Sequence, residues 1–348
     1  MHMADALISP LVGGTMWVAT AGVAAYSIKK IQTEMDEKKI PLMGVMGAFI
    51  FASQMINFTI PGTGSSGHIG GGLILAILLG PYAGFLTIAS VLTIQALFFA
   101  DGGLLALGSN VFNMGFFSCF IAYPLIYKGF MKKGYTTKRI VLASILAAII
   151  GLQMGAFGVV LETLFSGKTE LPFRTFVLLM QPIHLAIGAV EGLVTAAVVS
   201  YIWKARPEII ERAAIGQAIG NVSIKKLVVG LVTMAVITGV GLSWFASSNP
   251  DGLEWAMLKT AGTAELKAPD GLHQKLSDLQ NKTAFLPNYS HKAPENDTEQ
   301  SAKVAEETWP AVSGGTSTAG LVGGGMTLVL AGLVGSGISL AKRRKNRT

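Results

Sequence analysis

Long apolar runs dominate this chain and restrict its fold more than any other feature. They lie at 7–28, 41–57, 82–99, 103–127, 139–165, 173–203, 224–246 and 319–341, with a shorter run at 69–80 set off by Pro81-Tyr82. About 20 apolar residues cross a bilayer as a helix. Within the bilayer every backbone N–H and C=O needs a partner inside the protein, so runs of this length form helices there. The runs predict nine spans, with 69–80 read as a short or tilted one, and an all-α integral membrane protein. Composition agrees: 51% of the 348 residues are hydrophobic and 14% charged, where soluble domains carry about 25% charged residues. A disordered chain needs the opposite balance. The single Cys excludes a disulfide framework within the chain and a multi-Cys zinc site.

Basic residues set the expected orientation. Lys29, Lys30, Lys38 and Lys39 follow the first run, and Lys128, Lys132, Lys133, Lys138 and Arg139 separate the fifth from the sixth. Lys204, Arg206, Arg212, Lys225 and Lys226 separate the seventh from the eighth, and Lys342, Arg343, Arg344, Lys345 and Arg347 close the chain. The short connections on the opposite side carry only Lys168 and Arg174. By the positive-inside rule this pattern puts the N-terminus outside and the C-terminus in the cytoplasm. Without a span at 69–80, the 128–139 loop falls on the wrong side. The net charge of +7 therefore reads as a topology signal with some attraction to anionic membrane lipid, not as a nucleic-acid footprint.

Segment 247–318 breaks the apolar pattern. It is polar, holds half of the 20 acidic residues and includes Pro250, Pro269, Pro287, Pro294 and Pro310. It predicts an external soluble insert, with a short helix near 259–282 and a mostly flexible stretch at 287–318 ending in Gly314-Gly315. The expected organisation is a seven-span module at 1–212, a cytoplasmic linker at 213–223 and a two-span module at 224–348 that carries the insert. No nucleotide site is expected. Ser166-Gly167-Lys168-Thr169 is the nearest match to a P-loop, but Glu162 stands where its first Gly belongs.

Residues 1–10 contain no Lys or Arg, so no cleaved signal peptide is expected and the mature chain is expected to begin at Met1. A bulky second residue, His2, disfavours removal of that Met. The Met1 amine, the His2 backbone nitrogen and the His2 Nδ1 can then close adjacent five- and six-membered chelate rings. The amide must lose its proton, which Cu(II) and Ni(II) promote best, and these ions favour square-planar nitrogen sites. A second imidazole would complete the square. His68, in Pro61-Gly62-Thr63-Gly64-Ser65-Ser66-Gly67-His68-Ile69-Gly70-Gly71-Gly72, lies on the same predicted side as the N-terminus, in a loop whose glycines permit close backbone approach. By spacing alone, an ordinary terminal residue and a surface-loop His remain the alternative.

Met1-His2-Met3-Ala4-Asp5-Ala6-Leu7 together with the His68 loop resembles the start of the NikM/CbiM family, the substrate-capture membrane subunits of nickel and cobalt energy-coupling factor (ECF) transporters. Asn249-Pro250-Asp251-Gly252-Leu253-Glu254-Trp255 resembles the Pro-Asp-Gly-Leu-Glu signature of the small accessory subunit NikN/CbiN. The chain looks like a fusion of the two over nearly its whole length. The resemblance implies metal ligation by Met1, His2 and His68, and residence in the plasma membrane of a prokaryote. It also implies a transmembrane coupling subunit and cytoplasmic ATPase subunits as partners, with ATP hydrolysis outside this chain, which is then no enzyme. Ni(II) suits a deprotonated-amide square better than Co(II), which stays the alternative substrate; Cu(II) is expected to bind in vitro.

Other residues leave two readings each. His184 and Glu191 share one helical face and form either an interhelical polar contact or the proton relay of a proton-coupled secondary transporter. A membrane metal sensor or scaffold is a third class. Gly44, Ala48 and Ala52 recur every fourth residue and either pack internally or dock the coupling subunit. Asn57, Gln95 and Asp101 either orient the imidazoles or cap helices. His273 and His291, in the insert, are weaker candidates for gathering metal outside.

Overall fold

The computed structural model describes residues 2–34, 38–220, 223–269, 271–291 and 309–345. Each of the nine predicted runs holds a helix: α1 (Pro10–Glu34), α2 (Lys39–Gln54), α3 (Gly72–Leu79), α4 (Pro81–Phe99), α5 (Leu107–Met131), α6 (Thr137–Phe165), α7 (Phe173–Ala205), α9 (Lys225–Val240) and α12 (Gly314–Lys345). The short α8 (Pro207–Ala214) lies between α7 and α9. Six of them, α1, α4, α5, α6, α7 and α12, are long and apolar enough to cross a membrane. The protein is a multi-pass membrane protein. Residues Phe112–Tyr127 of α5 are wound wider than an α-helix, around Pro124, which offers no N–H to the helix ladder.

The 69–80 run differs from expectation. Only Gly72–Leu79 is helical and all eight residues are buried; at about 1.5 Å per residue it covers roughly 12 Å, too little to cross alone. The segment before it is a loop, and among the described residues it holds the one strand pair in an otherwise helical chain. Strand β1 (Phe58–Ile60) lies antiparallel to β2 (Ser65–Gly67), with Thr59 opposite Ser66. Glycine explains the break. Gly62, Gly64 and Gly71 have φ of 76°, 73° and 79°, values that side-chain-bearing residues rarely adopt. A flanking helix therefore cannot run through 62–71.

The insert also departs from expectation. Among its described residues it holds α10 (Gly252–Ala261) and α11 (Leu272–Thr283), where one helix was expected near 259–282. Helix α10 starts on a capping box: Asp251 Oδ1 accepts from the N–H groups of Leu253 (2.8 Å) and Glu254 (2.9 Å), while Glu254 Oε2 accepts from the Asp251 N–H (3.0 Å). Asp followed three residues later by Glu is a helix-start signature, so the signal was in the sequence. Gly314-Gly315, expected to end a flexible stretch, instead open α12. Most of that stretch, 292–308, lies outside the described residues.

Small residues join the C-terminal helices to the rest. A Cβ on Gly44 would stand 2.8 Å from the Leu328 carbonyl, and one on Gly320 would stand 2.3 Å from the Gly239 carbonyl. Gly239 in turn faces Ala52, and Gly324 faces Ala48. The Gly44-Ala48-Ala52 stripe is thus filled by α9 and α12 of this same chain, which is the internal-packing reading of the two that the sequence offered. Close approach here replaces hydrophobic burial as the source of affinity, because lipid tails are as apolar as the helices. Gly320→Leu is expected to cost about 1–3 kcal/mol by overpacking and to lower the melting temperature in detergent. An unchanged melting temperature would show that α9 and α12 are not held by this contact.

Candidate metal-binding site

The first residues turn inward. Met3, Leu7 and Ile8 are buried, and backbone bonds hold them. Asn110 accepts from the Met3 N–H (2.7 Å) and donates to the Met3 carbonyl (3.1 Å), which also accepts from the Gly103 N–H (2.9 Å). Asp5 accepts from the Ala106 N–H at 2.9 Å. A Cβ on Gly102 would stand 3.3 Å from the His2 Cβ, so glycine at the α4–α5 turn makes room for the N-terminus.

This docking stacks the His2 ring on the His68 ring, with centroids 5.0 Å apart and planes 13° from parallel. The His2 side chain is 6% exposed and its Nδ1 lies 3.1 Å from Asp101 Oδ1. Its Nε2 is buried without a hydrogen-bond partner among the described residues. His68 Nδ1 meets the Ile69 carbonyl at 3.0 Å. A carbonyl only accepts, so Nδ1 carries the proton and Nε2 the lone pair. Burial holds the His68 imidazole down to about 3, so it is neutral near pH 7, the form that binds metal. Burial raises the Asp101 carboxyl, but the charge and hydrogen bond of His2, with the Tyr289 O–H, outweigh it and hold Asp101 below the usual carboxylate range. Met1 lies outside the described residues. Among the described residues no group of three or more His, Cys, Asp or Glu side chains is arranged to hold a metal.

The loop bearing His68 is fastened from below. The N–H groups of Gly70 and Gly71 donate to Glu191 Oε2 (2.8 Å) and Oε1 (3.0 Å). The Gly70 carbonyl accepts from Gln54 (2.8 Å), which accepts in turn from Gln95 (2.9 Å). Glu191 and His184 do not bond to each other: His184 Nδ1 meets the Met180 carbonyl at 2.8 Å. Of the three predicted orienting residues, Asp101 touches His2 directly, Gln95 acts through Gln54, and Asn57 contributes its backbone carbonyl to the Ser247 N–H (2.7 Å). Asn110 and Gln54 were missed; polar residues within apolar runs were the signal.

The insert closes the site from above. The Ser66 N–H donates to the Pro250 carbonyl (2.8 Å), the Ser66 hydroxyl to that of Asn249 (2.7 Å), and the Trp255 ring N–H to that of Thr63 (3.0 Å). Gln280 donates to the carbonyls of Ala96 (2.8 Å) and Gly102 (2.7 Å). His273, weighed as an external metal collector, is buried and its Nε2 meets the Ile8 carbonyl at 2.9 Å; it pins the N-terminal segment. A cavity of about 230 Å³ adjoins His2 and is lined by Asp101, Asp251, Glu254 and Glu265. Acidic walls of this kind raise the local concentration of cations.

Residues 2–209 match the family of the cobalt uptake substrate-specific transmembrane region, CbiM. The chain belongs to the CbiM family. Residues 225–340 match the PDGLE domain. An Archaeoglobus fulgidus protein named for fused nickel transport, NikMN, is 39% identical over 62% of this chain and 69% of its own length. The fused nickel transport protein NikMN of Rhodobacter capsulatus is 33% identical over 60% of this chain and 64% of its own. The crystal structure of a truncated transition metal transporter aligns with a TM-score of 0.52 and 31% identity, covering 59% of this chain and 99% of that one. As a CbiM-family protein the chain is a membrane component of nickel or cobalt transport.

Glu191→Gln replaces one acceptor oxygen by an NH2 group and leaves the Gly70 or Gly71 N–H unpaired in the interior. The expected cost is about 1.5–3 kcal/mol, that of a hydrogen bond to a charged group. Hydrogen exchange at Gly70 and Gly71 should quicken while exchange in α1 stays the same. Exchange equally slow in the variant would show that Glu191 does not hold this loop.

Proposed function

We propose that this chain is the substrate-capture component of an ECF-type importer that takes Ni(II) from outside the cell through four nitrogens: the Met1 amine, the His2 amide, His2 Nδ1 and His68 Nε2. One observation carries the reading. Two histidines 66 positions apart in the sequence are buried face to face beside an acidic cavity, with the His68 tautomer that leaves Nε2 to accept a metal. The parallel rings do not aim their nitrogens at one point. Closing the chelate therefore turns His2 away from Asp101 and exchanges the Nδ1 proton for the ion. Nδ1 rather than Nε2 takes part, because only Nδ1 closes a six-membered ring with the amide nitrogen.

The chain spans the membrane nine times, seven spans in 1–212 and two in 224–348, with the N-terminus outside and the C-terminus in the cytoplasm. The basic clusters support this, as does α3, which ends at Gly80, where a Cβ would lie 3.6 Å from the carbonyl of Ala213 in the basic 204–226 region. ATP is hydrolysed by cytoplasmic partner subunits that act through a transmembrane coupling subunit. Co(II) is the second reading for the substrate, favoured by the family's description as a cobalt uptake region.

Protein with a free N-terminus should hold one equivalent of Ni(II) with a yellow square-planar absorption band. His2→Ala, His68→Ala and a form with one residue added before Met1 should each lose the band and the tight binding. Retention in the extended form would exclude the amine as a ligand.

Binding should also weaken as pH falls below about 8, where the terminal amine takes up its proton. His68, held near 3, does not add to that slope above pH 5. Titration calorimetry from pH 8.5 to 6 checks this, and a flat affinity would rule out a proton-releasing chelate.

A further inference from the structure

Below the ring stack, where α5, α6 and α7 meet the 62–71 loop, lies a cavity of about 10 Å³ lined by His68, Gly70, Asn113, Ser118, His184 and Gly252. Such a volume admits about one water-sized species. His184 is completely buried. Its Nδ1 donates to the Met180 carbonyl one turn earlier on its own helix, so Nε2 carries the lone pair, and that atom has no hydrogen-bond partner among the described residues. With one edge tied back to α7, the ring presents Nε2 away from its helix. Gly252 covers that side, where a Cβ would come 3.2 Å from His184 Cε1. A neutral imidazole whose other nitrogen donates to a carbonyl is in the tautomer and orientation of a metal ligand.

Buried acid groups stand just behind the walls. Asn113 donates to both oxygens of Glu162 (3.1 and 3.0 Å), and the Gly70 N–H donates to Glu191 (2.8 Å). A dication in this cavity would have two carboxyl groups one residue away, which offsets part of its desolvation. His68 borders both places: it stacks on His2 and walls the cavity.

We infer that His184 Nε2 forms a second, transit position for the metal, taken up as the ion leaves the terminal chelate on its way inward. This rests on the capture reading above. In the transfer the nickel bonds to the Met1 amine, the His2 amide nitrogen and His2 Nδ1 break, a water gives one proton to the amide nitrogen and its hydroxide stays on the ion as a ligand, and a nickel–Nε2 bond to His184 forms. The ion stays Ni(II), and His68 holds it on either side of the exchange.

The test compares wild type, His184→Ala and His184→Gln as full chains, for Ni(II) binding and for uptake in proteoliposomes with the partner subunits. A parallel pair, His2→Ala with and without His184→Ala, isolates the weaker position. The His184 variants should keep the tight equivalent and its band, while uptake falls roughly tenfold or more, the usual cost of losing a metal-site group. His2→Ala should keep one weak Ni(II) equivalent, and the double variant should lose it. Wild-type uptake in both His184 variants, or a weak equivalent that survives in the double variant, overturns the inference. Loss of the tight band in both would make His184 structural and overturn it as well. Absence of the tight band from wild type would instead defeat the capture reading, and this one with it.

Discussion

A stretch of backbone that is not helical, enclosed by the helices of a membrane protein, is the constraint around which this molecule is arranged. Non-helical backbone is tolerated in a membrane only where protein or a water-filled cavity satisfies it. The 55–71 loop meets that condition from three sides. Its own hairpin pairs β1 with β2, Glu191 and Gln54 take the polar groups of Gly70 and Gly71, and Asn249 and Pro250 take those of Ser66. An acid group within α7 and a polar insert between α9 and α12 thus answer the same need. They also account for α3 being so short, because the loop occupies the space that the rest of the helix would have filled.

Holding the loop places His68, and a matching set of bonds places His2. The N-terminal segment has no regular structure beyond one short turn, yet it is buried, since Asn110, Gly103, Ala106 and His273 engage its backbone or its Asp5 side chain. Asp101 then holds the His2 ring. Two flexible pieces of chain become a defined pair of imidazoles because each is fixed by polar partners on neighbouring helices, which reduces the entropy lost when a ligand binds. The region matched by the PDGLE domain contributes to both: Pro250 and Trp255 to the loop, His273 and Gln280 to the N-terminus and its surroundings. It is part of the wall of the site as well as an attachment to it.

Much of this was legible in the residues. The apolar runs located nine helices, because a bilayer demands long apolar stretches and leaves few other solutions. The Met-His start, the glycine-rich His68 loop and the Pro-Asp-Gly-Leu-Glu segment pointed to the CbiM family and to metal transport. The capping box of Asp251 and Glu254 was present in the sequence too, although only one helix was expected in the insert, near 259–282, where α11 lies, and α10 was not. The small-residue stripe at Gly44, Ala48 and Ala52 declared close helix packing but did not say with which helix.

What remained for the tertiary structure were the choices between partners that local pattern treats alike. Glu191 and His184 share a helix face, yet one fastens a loop and the other borders a cavity. Asn57 and Asp101 are both polar residues near span ends, and only Asp101 meets an imidazole. His273 looked like an exposed histidine of a soluble insert and is instead buried against Ile8. The reason is physical. Hydropathy and helix signals act over a few residues and are written in the sequence directly. A hydrogen bond between residues more than a hundred positions apart depends on which helices lie side by side, and that is decided only when the whole chain packs.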